Sequence, residues 1–178
     1  FEPSYKNFKV LEKKTKNIKN SNLKIYNYGI GEKEGLFDFN ECHESQSSTL
    51  VKINYKSNYF KKKQKLLKFF SKEKNLFFTT KINIKSLDNF LKENKIDYVE
   101  ILKIDTEGYD FNVIKSLGDR INCINYIYFE HHFHDMLNKD YTYMKVHNFL
   151  VNNGFKKTFK SKMFYRKTFE YIYKNSKI

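Results

Sequence analysis

A mainly parallel, layered α/β fold is predicted by three observations. A mostly apolar run with β-branched residues, Tyr98 to Ile104, ends abruptly at Asp105, passes through Thr106-Glu107-Gly108 and continues at helical spacing with Phe111, Ile114 and Leu117. Strand-like and helix-like segments alternate along the chain without an internal repeat. The 178 residues match one domain, spanning 1–178, with enough chain to bury a substantial core.

The elements follow in order. Phe1-Glu2-Pro3 reads as the end of a strand whose start lies upstream of Phe1. Tyr5, Phe8 and Leu11 predict a short amphipathic helix with Ser4 as its cap. Leu23 to Ile30 alternates as a strand, Gly31 to Gly35 turns the chain, and Leu36 to Phe39 forms a second strand. Glu41 to Leu50 is a polar loop. Ser57 to Ser71 places Phe60, Leu67 and Phe70 at helical spacing in a lysine-rich segment. A strand over Phe77 to Ile84 leads to a helix that starts at Ser86 with Asp88 in its first turn. After the turn at Asp105, Ile121 to Glu130 is a strand and Tyr141 to Asn152 a helix with Met144, Phe149 and Leu150 as buried residues, stopped by Gly154. Phe155 to Phe159 and Met163 to Tyr171 close the chain as an antiparallel pair.

The net charge of +14 invites a nucleic-acid partner. All but two of the 34 basic residues are lysine, however, in a chain rich in Asn, Ile, Phe and Tyr and devoid of Ala, which is the pattern of an A+T-rich codon habit. Arginine, with its planar fork, is the residue expected at selected phosphate contacts, and only Arg120 and Arg166 are present, so no nucleic-acid partner is predicted. Cys42 and Cys123 match neither a zinc motif nor a disulfide framework, which points to a reducing, cytoplasmic setting. No apolar run approaches the roughly 20 residues of a membrane span. The 57–71 helix has two readings, a solvated lysine face over an apolar stripe or peripheral docking on an anionic membrane.

Four places carry chemistry. Glu2, at a strand end, has the acidic side chain that accepts hydrogen bonds from both ribose hydroxyls of a nucleoside cofactor; alternatively it is a turn residue before Pro3. Asp105 and Glu107, at the carboxyl end of a strand, suit a general base or a polar anchor for a substrate hydroxyl; alternatively they cap a helix start. His131, in Glu130-His131-His132-Phe133-His134-Asp135, lies at the same sheet edge and could take a proton near neutral pH, whereas the run lacks the longer pattern of a metal site. Ser47-Ser48-Thr49 has the composition of a connector, and no Gly-x-Ser-x-Gly elbow exists for nucleophilic-serine chemistry.

Together Phe1-Glu2-Pro3, Tyr26-Asn27-Tyr28-Gly29-Ile30-Gly31 with Glu34-Gly35, Ser47-Ser48-Thr49-Leu50, Ser86-Leu87-Asp88-Asn89-Phe90-Leu91, Leu102-Lys103-Ile104-Asp105-Thr106-Glu107-Gly108 and Phe129-Glu130 resemble, in order and spacing, the FkbM-type methyltransferases. The resemblance implies a Rossmann-like, seven-stranded sheet, mostly parallel with a reversed strand near the C-terminus, whose first strand and glycine-rich loop are missing from these residues. It implies S-adenosylmethionine as cofactor, with Glu2 on the ribose, Tyr28 and Gly29 beside the adenine, and Ser48 also among the cofactor contacts. Asp105 would face methyl donor and acceptor, Asp105 or His131 would be the base, and Glu107 an orienting partner. The implied reaction is O-methylation of a sugar, glycan or related metabolite. The rivals are a dinucleotide-dependent oxidoreductase, a sugar-nucleotide-dependent glycosyltransferase using Asp105 and Glu107 on a metal, and a non-catalytic basic binding protein.

Overall fold

A computed structural model describes residues 1–18, 22–43, 47–68, 76–164 and 166–178, with only the backbone at 67 and 68. In chain order the elements are α1 (Tyr5–Thr15), β1 (Gly29–Ile30), β2 (Gly35–Cys42), α2 (Asn58–Lys68), β3 (Phe77–Lys85), α3 (Leu87–Glu93), β4 (Val99–Ile104), α4 (Asp110–Lys115), a 3₁₀ turn (Gly118–Cys123), β5 (Ile124–His132), α5 (Tyr143–Asn152), β6 (Phe155–Lys162) and β7 (Thr168–Asn175).

The strands form two sheets, β1-β3-β2 and β4-β5-β7-β6, in place of the single sheet expected. The expectation of a mostly parallel arrangement is also corrected. Among the described residues only β1·β3 and β4·β5 run parallel; β2·β3, β5·β7 and β6·β7 are antiparallel. The cause is local: the turn after β1 sends β2 back beside β3, and a short connection folds β6 onto β7. The reversed strand near the C-terminus is present as β7, antiparallel to β5.

Capping explains where several helices begin. Ser4 accepts from the Asn7 N–H at 3.3 Å, Ser86 from Asn89 at 3.1 Å and Thr142 from Lys145 at 3.4 Å. At α3 a second oxygen helps: the Glu34 carboxylate accepts from the Ser86 N–H at 2.8 Å and from the Asn89 side-chain amide at 2.9 Å, and these two hydrogen bonds hold Glu34 below its ordinary range. We expect Ser86→Ala to cost about 1 kcal/mol in urea unfolding, the usual worth of an N-cap; no loss would mean that Glu34 alone suffices to cap α3.

The main core forms around β4, β5 and the helices α4 and α5. Ile114, Leu117, Ile127, Phe129 and Leu150 are fully enclosed there, each burial worth roughly 1.5–3 kcal/mol. Ile114 and Leu117 were predicted from helical spacing. In α5 the buried pair is Val146 and Leu150, while Met144 faces solvent. The Leu23 to Ile30 strand shrinks to Gly29–Ile30, because Tyr26 and Tyr28 turn aside to pack with Phe1 and Phe90. In α2, Phe60 is buried and Leu66 exposed, while Phe69 to Ser71 lie outside the described residues. Among the described residues no helix is long and apolar enough to cross a membrane. Cys42 and Cys123 are not joined in a disulfide.

Candidate functional site

The turn between β4 and α4 is held in an unusual backbone shape. Glu107 has φ +47° and Gly108 φ +92°. The left-handed region is costly for a residue with a Cβ, so Glu107 stays there only because its surroundings hold it. Thr49 donates its hydroxyl to the Glu107 carbonyl at 2.8 Å, and Tyr141 donates to the Gly108 carbonyl at 2.8 Å. From the other side, the enclosed Asp110 carboxylate accepts from the Gly108 N–H at 3.1 Å. Burial pushes Asp110 up to about 6. A Cβ on Gly108 would lie 2.8 Å from Leu137 Cδ1, so this position requires glycine on space as well as on φ.

So clamped, the turn directs Glu107 against His132, whose Nε2 lies 3.2 Å from the Glu107 carboxylate with the ring 3% exposed. Burial acts to raise Glu107, but the hydrogen bond and charge of His132, helped by Lys63 and Arg166, hold it below the ordinary carboxylate range. Neighbouring His131 points away on the other face of β5, as strand geometry requires of adjacent residues. Its Nε2 lies 3.3 Å from Lys139 Nζ, and burial together with Lys139 pushes it down to about 3. His134 stacks on Tyr59 and is pushed down to about 4, chiefly by burial.

A cavity of about 410 Å³ opens beyond the carboxyl ends of β4 and β5 and reaches across to β1. That is the size and the position at which α/β folds hold small molecules. Glu2, Gly29, Ser48, Asp105 and Glu107 all line it. Tyr28 and His131 do not: Tyr28 belongs to the aromatic group with Phe1 and Tyr26, and His131 lies beneath the wall among Phe133, Tyr141 and Tyr143. Gly29 has a steric reason to be glycine, since a Cβ would meet Ile84 Cδ1 at 2.6 Å. Ser48 also shapes the wall by accepting from the Cys42 N–H at 2.9 Å. Glu2 accepts from the Ser4 N–H at 2.8 Å and is raised, mainly by burial.

Two charged wall residues, Glu130 and Arg166, were given no site role from the sequence. Glu130 lies on the same face of β5 as His132, so strand parity after Phe129 would have selected 130 and 132 rather than 131. Arg166, arriving from the β6–β7 connection, had no signal beyond the scarcity of arginine. Four acidic residues, Glu2, Asp105, Glu107 and Glu130, and one arginine, Arg166, thus line the cavity. Such a wall favours a ligand with positive charge. Among the described residues no group of three or more His, Cys, Asp or Glu side chains is arranged to hold a metal ion.

Fold and site together define an α/β domain with a small-molecule cavity at the carboxyl ends of parallel strands. The model of the methyltransferase FkbM domain matches residues 1–157, and the chain belongs to that methyltransferase family. No curated protein and no solved structure matches it. Arg166 lies beyond the matched residues.

Proposed function

We propose that the protein is an S-adenosylmethionine-dependent methyltransferase that O-methylates a hydroxyl of a sugar, glycan or related metabolite. The observation that carries this reading is the carboxylate-rich cavity, which five of the residues implicated from the sequence share. Its residues fit the cofactor: the volume suits a nucleoside-sized molecule, and the acidic wall suits one bearing an ammonium and a sulfonium.

When bound, S-adenosylmethionine supplies an electrophilic methyl group on positively charged sulfur. The chain's own residues bind, orient and move a proton. Glu2 offers a carboxylate to paired ribose hydroxyls, Gly29 leaves room for close approach by the base, and Ser48 offers a hydroxyl to the nucleoside. Asp105, whose carboxylate is only loosely paired with Lys103 at 3.6 Å, takes the proton from the acceptor hydroxyl. Glu107, fixed by His132, holds the acceptor in line.

Calorimetric titration of the full chain is expected to show binding of both S-adenosylmethionine and S-adenosylhomocysteine. Labelled-methyl transfer to a panel of free hexoses and deoxyhexoses then reads activity. Asp105→Ala should lower turnover by roughly 10²–10⁴-fold while affinity for either nucleoside changes little. Binding of a sugar nucleotide with manganese, and of neither adenosyl compound, would replace the reading with glycosyl transfer.

A further inference from the structure

Glu130 has no task in the transfer just described, and its surroundings are those of a charge awaiting a partner. Its residue is 5% exposed, yet its side chain lines the cavity. Among the described residues no side chain hydrogen-bonds or ion-pairs with it; it borders the cavity, with Lys103 and His132 as the attracting charges nearby. The strand register explains its position. Ile104 pairs with Phe129, the last pair of that register, and the residues that follow, Asp105 and Glu130, both line the cavity.

Resting on the cofactor reading above, we propose that Glu130 is the counter-ion of the sulfonium of S-adenosylmethionine, ionising as that cation enters the cavity. The charged groups around it leave this role open. Lys103 on β4 attracts its charge; Asp105 and Glu107 in the turn that follows repel it; on β5 itself, His132 favours it. Opposite on β7 stands Glu170, whose carboxylate is taken by the Tyr128 hydroxyl. Burial, reinforced by Asp105, pushes Glu130 up to about 7. Near pH 7 the empty site therefore holds a proton part of the time. A cation placed against the carboxylate lowers its pKa, so the proton leaves to solvent as the sulfonium arrives.

This role separates two ligands that differ chiefly in charge at sulfur. S-adenosylhomocysteine carries the same ammonium and carboxylate but a neutral thioether, so it gives Glu130 no cause to ionise. The full chain is titrated near pH 7 with each compound, in phosphate and in Tris, whose different ionisation enthalpies report the protons exchanged. S-adenosylmethionine is expected to release about half a proton per site and S-adenosylhomocysteine almost none, because a group titrating at about 7 is half protonated there. Glu130→Gln should still bind both, with release abolished and affinity for S-adenosylmethionine alone lowered by roughly tenfold, one pKa unit of charge interaction. Glu130→Asp keeps the carboxylate and should keep the release. A circular-dichroism melt confirms that each variant is folded.

Equal proton release with both compounds would overturn the assignment, because the charge sensed would then be the shared ammonium. Unchanged release in Glu130→Gln would overturn it as well, and so would release driven by magnesium alone. Binding without the difference between the two compounds removes this inference only. Absence of binding by either compound removes the cofactor reading with it.

Discussion

Gly108→Ala is expected to destabilise the protein by about 2–6 kcal/mol, a large loss for a single methyl group. Two independent penalties combine. At φ +92° any residue with a Cβ is strained, by about 1–3 kcal/mol where such strain is tolerated. The added Cβ also lies 2.8 Å from Leu137 Cδ1, inside the packed cluster of Cys42, Phe60 and Met136, and overpacking of that kind costs about 1–3 kcal/mol. For a chain of this size each kcal/mol lowers the melting temperature by roughly 2–4 °C. Gly35→Ala is the control: φ there is +129°, but the atom nearest to an added methyl, Phe37 Cε2, is 4.0 Å away. Urea unfolding should therefore rank Gly108→Ala well below Gly35→Ala in stability. Equal losses would show that Leu137 yields freely and that backbone strain alone is at work. The effect reaches the cavity too, since the carbonyl grips from Thr49 and Tyr141 hold Glu107 and Gly108 in register with it.

Much of this site was legible in the sequence because one segment carries it. An apolar strand that stops at an acid, then a glycine, then helical spacing, specifies a strand–turn–helix, and Ile114 and Leu117 are buried as that spacing requires. The caps at Ser4 and Ser86 follow from side-chain chemistry alone. What was not legible depends on partners distant in sequence. Asp110 reads as one more acid in a helix start, and only the folded turn shows it closing on the Gly108 N–H. His131 and His132 are indistinguishable as residue types. Which one reaches the cavity side is decided by strand parity, and parity can be read only once β5 is known to continue through His132. The division into two sheets was hidden for a similar reason, because alternation marks a strand without naming its neighbour. Tyr98 and Ile101 show the consequence: they belong to the apolar run, yet β4 lies at the end of its sheet and they are 51% and 61% exposed.

The pairing of Glu107 with His132 carries the second large effect, and its sign depends on pH. In the native protein Glu107 sits below its ordinary pKa of 4.5. Its contribution to stability is therefore present above about pH 4.5 and is lost as the pH falls through the lowered native value. His132→Leu removes the one side chain hydrogen-bonded to that carboxylate at 3.2 Å and leaves burial, the largest influence on Glu107, opposed only by the more distant Lys63 and Arg166. The native pKa should then rise above 4.5, reversing the dependence: the contribution is intact below about 4.5 and is lost as the pH climbs through the raised value. Stranding a buried charge in this way costs about 3–5 kcal/mol at neutral pH. Glu107→Gln made in the same background removes the stranded charge and should recover a large part of that loss. A double-mutant cycle by urea unfolding is thus expected to give a strong coupling near pH 7 that largely disappears near pH 4, where Glu107 in the single variant takes up a proton. A deficit for His132→Leu of the same size at both pH values would assign the loss to imidazole packing. Glu107 would then owe its place over the cavity to the backbone clamps of Thr49 and Tyr141 rather than to His132.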